Sequence, residues 1–300
     1  MNPVAGGGRG QALQTQIVAE LDKKFPQGYE LALTSEPGSA IQLAREAAKQ
    51  GARLLIAMGG DGTINEVVNG LFDHQKPLNP YCELGILNCG SGGGLAQTLG
   101  LPAGIADQLE LICRAPAKPL DVGIVRFQNS NGEPAERLFV SECQGGIGGA
   151  VVSRVGMKHK RLGGTLAFGM VAISELLHYR ATQMTTRVDG RVPQAKYRIG
   201  FTVGNGRFCA GGMQLTPGAL PDDNWLDIFQ IDEMNLLNRL VNFSKVYSGR
   251  HIRSPFFTLQ QAKTIEIDSD PPVWFETDGE LIGKTPCRIG ILPAAIRVRY

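Results

Sequence analysis

The sequence predicts an α/β N-terminal domain with a mainly parallel sheet, followed by a β-rich antiparallel C-terminal domain. Before about residue 121, short apolar runs alternate with segments of helical periodicity, a pattern typical of βαβ units. Three glycine-rich turns, at residues 5–8, 59–62 and 90–94, punctuate this part of the chain. After residue 121, apolar segments rich in Val, Ile and Thr follow one another with few helices between them, which is typical of antiparallel sheets.

The elements of the N-terminal domain follow in chain order after an opening glycine turn. Apolar residues first recur at helical spacing, and strands and helices then alternate. We expect a helix with Leu13, Ile17, Val18, Leu21 and Phe25 on one face, strands near 29–33, 54–58 and 83–87, a helix near 39–50, and a helix from the second glycine turn to about residue 72.

The second glycine turn, Gly59-Gly60-Asp61-Gly62-Thr63, is the centre of this pattern. A strand, a glycine turn and a helix N-terminus together form an anion site, and Thr63 with Glu66 predicts a capping box. Asp61 would repel a phosphate unless a cation lay between them, so we expect a metal-bound nucleotide. The alternative is an ordinary strand-to-helix turn.

The three glycine turns are expected to converge. In parallel α/β sheets, ligands bind beyond the carboxyl ends of the strands. Turns that follow neighbouring strands would therefore meet at one crevice, and this convergence is stronger evidence for a nucleotide than any single turn.

The C-terminal domain is predicted from six apolar segments and two helices. Asp189-Gly190 and Asp278-Gly279 are turn signals between such segments. A cleft between the two domains is a common place for a substrate. The expected strands lie near 137–141, 185–188, 197–203, 225–231, 264–267 and 288–292, and the helices near 163–179 and 235–247.

Composition describes a globular chain without strong charge. The 300 residues are 43% hydrophobic and 19% charged, and a net charge of +2 gives no indication of nucleic-acid binding. We see no signal peptide and no apolar run long enough to span a bilayer. The six cysteines form no CxxC pair. We therefore expect reduced thiols and a cytoplasmic protein.

Several motifs, in order along essentially the whole chain, resemble the diacylglycerol kinase catalytic family, which includes bacterial soluble lipid kinases and sphingosine kinases. They are specific for the superfamily but not for the lipid. The motifs are Asn-Pro-Val-Ala-Gly at 2–6, Gly-Gly-Asp-Gly-Thr at 59–63, Gly-Asn-Gly at 204–206, Gly-Gly-Met at 211–213 with Thr-Pro-Gly-Ala at 216–219, and Thr-Asp-Gly-Glu at 277–280 followed by Leu-Pro-Ala-Ala at 292–295.

The resemblance implies ATP-dependent phosphorylation of a lipid hydroxyl with Mg²⁺. Diacylglycerol is the first expected substrate, and a sphingoid base or monoacylglycerol comes next. It also implies an NAD kinase/diacylglycerol kinase-like fold, with a nucleotide domain at 1–121 completed by a returning segment near 286–300, and a lipid-substrate domain at 122–285.

The resemblance also implies site residues by position. Glu280 matches the family's general base, Asp278 lies beside it, and Asp61 would act through Mg²⁺ or its water shell. Without the other motifs, residues 278–280 would be interpreted as a hairpin turn. The nucleotide site would use Asn2, Pro3, Val4, Ala5, Gly6, Thr34, Gly59, Gly60, Asp61, Gly62, Thr63, Asn65, Ser91 and Gly92.

A second metal site is implied in the loop at 220–225. In bacterial family members the matching loop binds a structural Mg²⁺ through an Asp and backbone carbonyls. The ligands here would be Asp223 with the carbonyls of Leu220 and Trp225. The alternative is a polar turn before a strand.

Two departures from the family pattern keep rival functions open. Gly93-Gly94 stand where many relatives have Asn-Asp, and no apolar strand precedes Asn2. Both predict a weaker nucleotide site, which favours a nucleotide-binding protein without catalysis as one rival. The other rival is an NAD kinase, because NAD kinases share the Gly-Gly-Asp-Gly-Thr turn.

Membrane contact is expected to be peripheral. A basic cluster of Lys158, His159, Lys160 and Arg161 precedes the apolar segment 166–177 and could dock on anionic lipid. The alternative is a solvated loop followed by a core helix. The expected partners are a lipid substrate and the membrane surface, and a homodimer is left open.

Overall fold

The computed structural model describes residues 1–90, 92–158 and 164–300, with the side chains of 156–158 and 164–168 left out. The helices are α1 (Ala5–Lys24), α2 (Ser39–Lys49), α3 (Asp61–Gly70), α4 (Gly94–Thr98), α5 (Ile105–Arg114), α6 (Ile147–Lys158), α7 (Gly164–His178) and α8 (Leu236–Lys245). The strands are β1 (Leu54–Gly59), β2 (Phe72–Asp73), β3 (Lys76–Pro77), β4 (Glu83–Asn88), β5 (Ala117–Gln128), β6 (Pro134–Phe139), β7 (Glu142–Gly146), β8 (Thr182–Val188), β9 (Gln194–Gly204), β10 (Leu226–Asp232), β11 (Phe257–Ala262), β12 (Thr264–Asp270), β13 (Trp274–Thr277), β14 (Glu280–Lys284) and β15 (Cys287–Arg299).

The N-terminal part is a parallel sheet between two layers of helices. β1 pairs with β4, and the end of β15 pairs with the other edge of β4, all in parallel. Side chains alternate across the sheet, so α1 and α5 pack on one face while α2 and α3 pack on the other. At the α2–α3 contact, a Cβ on Gly70 would lie 2.4 Å from the Ile41 carbonyl, so glycine permits this close approach. The predicted α/β domain is confirmed.

The C-terminal part is antiparallel, as predicted. Starting at β15, the strands run β12, β8, β9, β7, β13 and β14, with β10 and β11 branching from β9. β15 joins the two parts, because its first residues pair with β12 and residues 297–299 pair with β4. The described strands thereby form one 13-stranded sheet plus the β2–β3 ribbon. A domain boundary near residue 121 stays a prediction.

The expected strand at 29–33 is not formed. A strand needs a hydrogen-bonding partner along its length, and here Met1 supplies two bonds. The Met1 amine donates to the Ala32 carbonyl, and the Thr34 N–H donates to the Met1 carbonyl. Next to it, the Asn2 N–H donates to the Met58 carbonyl at 2.8 Å, which holds the opening loop to the end of β1.

The predicted capping box of α3 is also wrong. α3 begins at Asp61, and no side chain caps its N-terminus. Glu66 instead accepts hydrogen bonds from the Gly38 and Ala40 N–H groups at 2.8 and 3.1 Å. Its carboxylate therefore caps the neighbouring helix α2, which has no side-chain cap of its own.

The membrane predictions are only partly addressed. In the part of the chain that the structure describes, no helix has the length and apolar character needed to cross a bilayer. The side chains of the predicted basic cluster at 158–161 lie outside the described residues.

Candidate active site

A pocket of about 540 Å³ opens where β1 and β4 end. Gly59 and Asn65 do not line this pocket, and Ser91 lies outside the described residues. The predicted nucleotide residues that line it are Asn2, Pro3, Val4, Ala5, Gly6, Thr34, Gly60, Asp61, Gly62, Thr63 and Gly92, joined by Ser35, Glu36, Pro37, Glu66, Gly90, Asp278 and Glu280.

The opening loop is tied to the second glycine turn across this pocket. The Asn2 side chain donates to the Thr63 hydroxyl at 2.9 Å and accepts from the Val4 N–H at 3.1 Å. Gly6 has a φ of 61°, and a Cβ there would lie 2.4 Å from the Cys89 carbonyl. Only glycine therefore allows the first and third glycine turns to touch. The predicted convergence of the three turns is present in the structure.

Asp61 bridges the second and third glycine turns. Its carboxylate accepts hydrogen bonds from the Gly94 and Leu95 N–H groups at 3.0 and 3.2 Å, at the start of α4. Gly93 has a φ of 58°, and a Cβ on Gly94 would lie 2.4 Å from a main-chain carbonyl, that of Phe208. The structure therefore explains both glycines. Gly93 adopts a positive φ, and α4 approaches the 205–213 loop too closely for a side chain at position 94.

A second, apolar cavity of about 250 Å³ lies in the C-terminal part. It shares Asp61, Gly92 and Asp278 with the first pocket, so the two cavities meet at these residues. Its deeper walls come from four elements and include Ile147, Val151 and Val152 of α6, Ala172 and Leu176 of α7, Ile199 and Phe201 of β9, and Asn242 and Phe243 of α8.

Two buried carboxylates that the sequence analysis did not single out, Glu142 and Glu276, line the apolar cavity. Burial raises the pKa of Glu142 well above its usual range, and the nearby charge of Glu276 raises it further. Burial also raises the pKa of Glu276 to about 8. No local pattern marks either residue, because the burial of both carboxylates depends on strands from several parts of the chain.

Asp278 stands at the tip of the β13–β14 hairpin with a φ of 47°. Its carboxylate accepts from the Val140, Ser141 and Glu142 N–H groups at 2.8 to 3.0 Å, and from the Asn65 amide at 2.7 Å. Burial raises its pKa to about 6, and these hydrogen bonds oppose the rise. The hairpin interpretation is therefore correct for the backbone, and the side chain joins α3, the β6–β7 link and the hairpin.

The hydrogen bonds of the Asn65 side chain explain why this residue does not line the pocket. Asn65 is fully buried, and its amide donates to the Leu138 carbonyl at 2.8 Å as well as to Asp278. It positions Asp278 rather than facing a nucleotide.

Glu280 lies two residues further, at the start of β14, and faces the first pocket. It forms an ion pair with Arg137 at 2.5 Å. Burial raises the pKa of Glu280, and the Arg137 charge opposes that rise. A Cβ on Gly62 would lie 3.8 Å from a Glu280 oxygen, which places this carboxylate next to the second glycine turn.

In the loop at 220–225, the Asp223 carboxylate already accepts a hydrogen bond, and Asp121 binds the loop from outside. Asp223 accepts from the Trp225 N–H at 2.9 Å, and Asp121 accepts from the Asn224 N–H at 2.7 Å. No group of three His, Cys, Asp or Glu side chains in the described residues is arranged to hold a metal ion. A structural Mg²⁺ on Leu220, Asp223 and Trp225 stays a prediction, and a polar turn accounts for the contacts seen.

Comparison with known proteins points to one family. Residues 1–125 match the Diacylglycerol kinase catalytic domain, and residues 143–300 match the YegS C-terminal NAD kinase beta sandwich-like domain. The chain is 29% identical over 289 residues to a diacylglycerol kinase of Bacillus subtilis strain 168, covering 95% of this chain and 89% of that relative.

Solved structures agree. A crystal structure of a candidate diacylglycerol kinase from Bacillus anthracis str. Sterne is 27% identical, covers 100% of this chain and 94% of its own, and has a TM-score of 0.77. An NAD kinase from Archaeoglobus fulgidus, crystallised with ATP, is 13% identical with a TM-score of 0.50, over 94% of this chain and 87% of its own. That likeness is one of fold alone.

Proposed function

Because the chain belongs to the diacylglycerol kinase family and is a lipid kinase, we propose that it transfers the γ-phosphate of ATP to the free hydroxyl of diacylglycerol. A sphingoid base or monoacylglycerol is the next candidate acceptor. The meeting of a polar pocket and an apolar cavity at Asp61, Gly92 and Asp278 carries the proposal. A phosphate donor and a lipid acceptor bound on the two sides would have their reacting groups at this junction.

The polar pocket suits a nucleoside triphosphate. Main-chain N–H groups of the glycine turns and the N-terminus of α3 favour phosphate groups. Phosphoryl transfer depends on positioning and on neutralising charge, which such a cradle supplies. We propose that residues 2–6 and 60–63 hold the phosphates, with Thr34 at the pocket wall.

Mg²⁺ would fit at the junction of the two cavities, where the protein would supply only a few of its ligands. Mg²⁺ is usually held by one or two carboxylates together with substrate phosphates and water. The carboxylates of Asp61 and Asp278 both line the junction of the two cavities. Their negative charge favours a cation there. When bound, Mg²⁺ would neutralise phosphate charge, and Asp61 is the residue we propose to hold it, directly or through water.

Glu280 is proposed as the general base. A lipid alcohol reacts once its proton can leave, and a carboxylate within reach accepts that proton, an effect worth roughly 10²–10⁴-fold in rate. Glu280 faces the polar pocket beside the second glycine turn, and the charge of Arg137 opposes the rise in its pKa that burial causes. Asp278 has four hydrogen-bond donors on its oxygens, so we assign it a positioning role.

A transfer assay with radiolabelled γ-phosphate tests the proposal. The acceptors are diacylglycerol, monoacylglycerol, sphingosine and NAD, and the variants are Asp61→Asn and Glu280→Gln. Label in extracted diacylglycerol that falls at least about a hundredfold in both variants supports the proposal. Glu46→Gln, at an exposed position of α2 that lines neither cavity, is the control and should match the wild type.

Other outcomes of the transfer assay would support a different function or a different substrate. Label mainly in NAD would replace the lipid kinase proposal by an NAD kinase activity. Bound ATP without label in any acceptor would contradict the proposed turnover, and label in sphingosine or monoacylglycerol instead of diacylglycerol would change the substrate.

A further inference from the structure

Helix α8 exposes its apolar face to solvent, the reverse of an ordinary surface helix. Leu236, Leu237, Leu240 and Val241 are all exposed, with Leu237 at 70%. They lie at spacings of one and four residues, which places them on one face of the helix. An amphipathic helix of a soluble domain normally turns such a face to the core.

The opposite face of α8 is polar and turned inward. Arg239 donates to the Tyr179 carbonyl at 2.7 Å and to the Met234 carbonyl at 3.2 Å, which fastens α8 to the end of α7. Asn242 is 5% exposed and donates to the Asn238 carbonyl at 2.8 Å. The orientation of α8 is thus fixed by buried polar contacts, and its apolar face has no partner among the described residues.

The exposed apolar area continues beyond α8. Nine of the 19 exposed large hydrophobic residues in the described part of the chain lie on α7, on α8 and in the turns that follow α8. The acidic residue of α7, Glu175, is turned inward to an ion pair with Arg154 at 2.5 Å. The nine residues, which we call the α8 surface, are Met170, Ile173, Leu177, Leu236, Leu237, Leu240, Val241, Tyr247 and Ile252.

Basic residues predominate from the start of α8 onward, although the exposed Glu233 lies just before it. Residues 234–263 contain five Lys or Arg and no Asp or Glu. Lys245, Arg250 and Arg253 are exposed beside the apolar residues. Apolar residues flanked by basic ones are typical of helices that lie in the interface of an anionic membrane.

The inner sides of α7 and α8 line the apolar cavity through Leu176, Asn242 and Phe243. We propose that the α8 surface docks on an anionic lipid bilayer, so that a lipid passes from the membrane between α7 and α8 into that cavity. Six of the nine residues of this surface lie after residue 235, far along the chain from the basic cluster at 158–161, and the other three lie in the apolar segment 166–177 that follows that cluster. The route of the lipid rests on the proposed function, whereas the docking itself does not.

A second copy of the chain fits this surface less well than a bilayer does. A two-fold contact places the same patch on both partners. It would bring the two strips of Lys245, Arg250 and Arg253 together without any acidic residue from 234–263 to compensate them. An anionic membrane neutralises the same strip.

Co-sedimentation with vesicles tests the docking, without ATP or diacylglycerol. The vesicles are phosphatidylcholine alone or with about one third phosphatidylglycerol. Wild type should bind the anionic vesicles more tightly, and less so as salt rises. Leu237→Glu with Leu240→Glu should weaken binding at least tenfold. Neutralising the charges with Lys245→Gln, Arg250→Gln and Arg253→Gln should weaken it about a hundredfold, since each basic residue near the surface contributes about fivefold.

Matched controls separate docking from general effects. Val192→Glu replaces an exposed apolar residue, at 83% exposure, on another segment and should bind like wild type. The proposal would be overturned if wild type does not bind anionic vesicles more tightly than neutral ones, or if the double variant binds them as tightly as wild type does. The surface would instead belong to a second copy if wild type does not bind vesicles, forms a dimer in light scattering, and becomes monomeric in the variant that carries Leu237→Glu and Leu240→Glu.

Transfer to two forms of diacylglycerol separates docking from catalysis. The double variant should keep turnover on a dispersed short-chain diacylglycerol and lose it on diacylglycerol in vesicles, because neither leucine lines a cavity. Vesicle binding that responds as expected, with no turnover on either form, would refute the proposed substrate and leave the docking surface standing.

Discussion

Glu276 should make the stability of this protein fall as the pH rises through neutrality. It is 2% exposed on β13, and burial raises its pKa from 4.5 to about 8. The folded protein therefore holds a proton that the unfolded chain releases above pH 4.5. The contribution of Glu276 to the free energy of unfolding is greatest below that pH. It is lost progressively as the pH rises to about 8, by at most about 1.4 kcal/mol per pH unit.

The magnitude follows from that interval. From 4.5 to about 8, the whole loss amounts to at most about 5 kcal/mol. Between pH 6.5 and 8, the free energy of unfolding should drop by about 2 kcal/mol. Glu276→Gln imitates the protonated acid and keeps an acceptor for the Gly279 N–H, which donates at 2.7 Å. The variant should lose the share of the pH dependence that Glu276 contributes, whereas Glu142, whose pKa burial also raises, should leave a residual slope.

Urea unfolding followed by tryptophan fluorescence at pH 6.5, 7.25 and 8 measures the effect. Glu266→Gln, on β12 with a side chain 44% exposed, is the control and should keep the wild-type slope. If wild type and Glu276→Gln lose the same free energy between pH 6.5 and 8, Glu276 is ionised in the folded protein and the reasoning is wrong.

Three further predictions concern the site. Asp278→Asn should lower the free energy of unfolding by about 2–4 kcal/mol in thermal or urea melts, because one amide oxygen cannot serve four donors; unchanged stability would contradict its anchoring role. Gly94→Ala should cost about 1–3 kcal/mol by overpacking against a main-chain carbonyl, whereas Gly169→Ala, with open space around it, should not destabilise. Arg137→Met should move the acidic limb of the pH–rate profile to higher pH by about one unit, because the opposing charge on Glu280 is removed; an unmoved limb would exclude Glu280 as the titrating base.

Local patterns in the sequence were sufficient for the fold class and for most of the nucleotide pocket. Strand and helix periods differ, and glycine turns have their own chemistry, so alternating elements and converging turns can be read without long-range information. Eleven of the nucleotide residues that the family resemblance implied line the pocket. The strand at 29–33 and the capping box failed because each depended on a partner outside its own segment.

The partners of individual side chains were decided by the tertiary structure. Asn65 and Asp278 are 213 residues apart and Arg137 and Glu280 are 143 apart, yet each pair is in contact. The burial of Glu276 depends on strands from several parts of the chain, so its raised pKa has no local signal.

Helix α8 shows the same division. Its periodicity alone predicts a helix with an apolar face, but only packing against α7 fixes which way that face turns. The sequence by itself determined many of the helices and strands and the glycine turns, because these depend on neighbours within a few residues, and the order of its motifs along the chain determined the family. The tertiary structure decided which carboxylates are buried and which apolar face meets solvent, because both depend on contacts between distant segments.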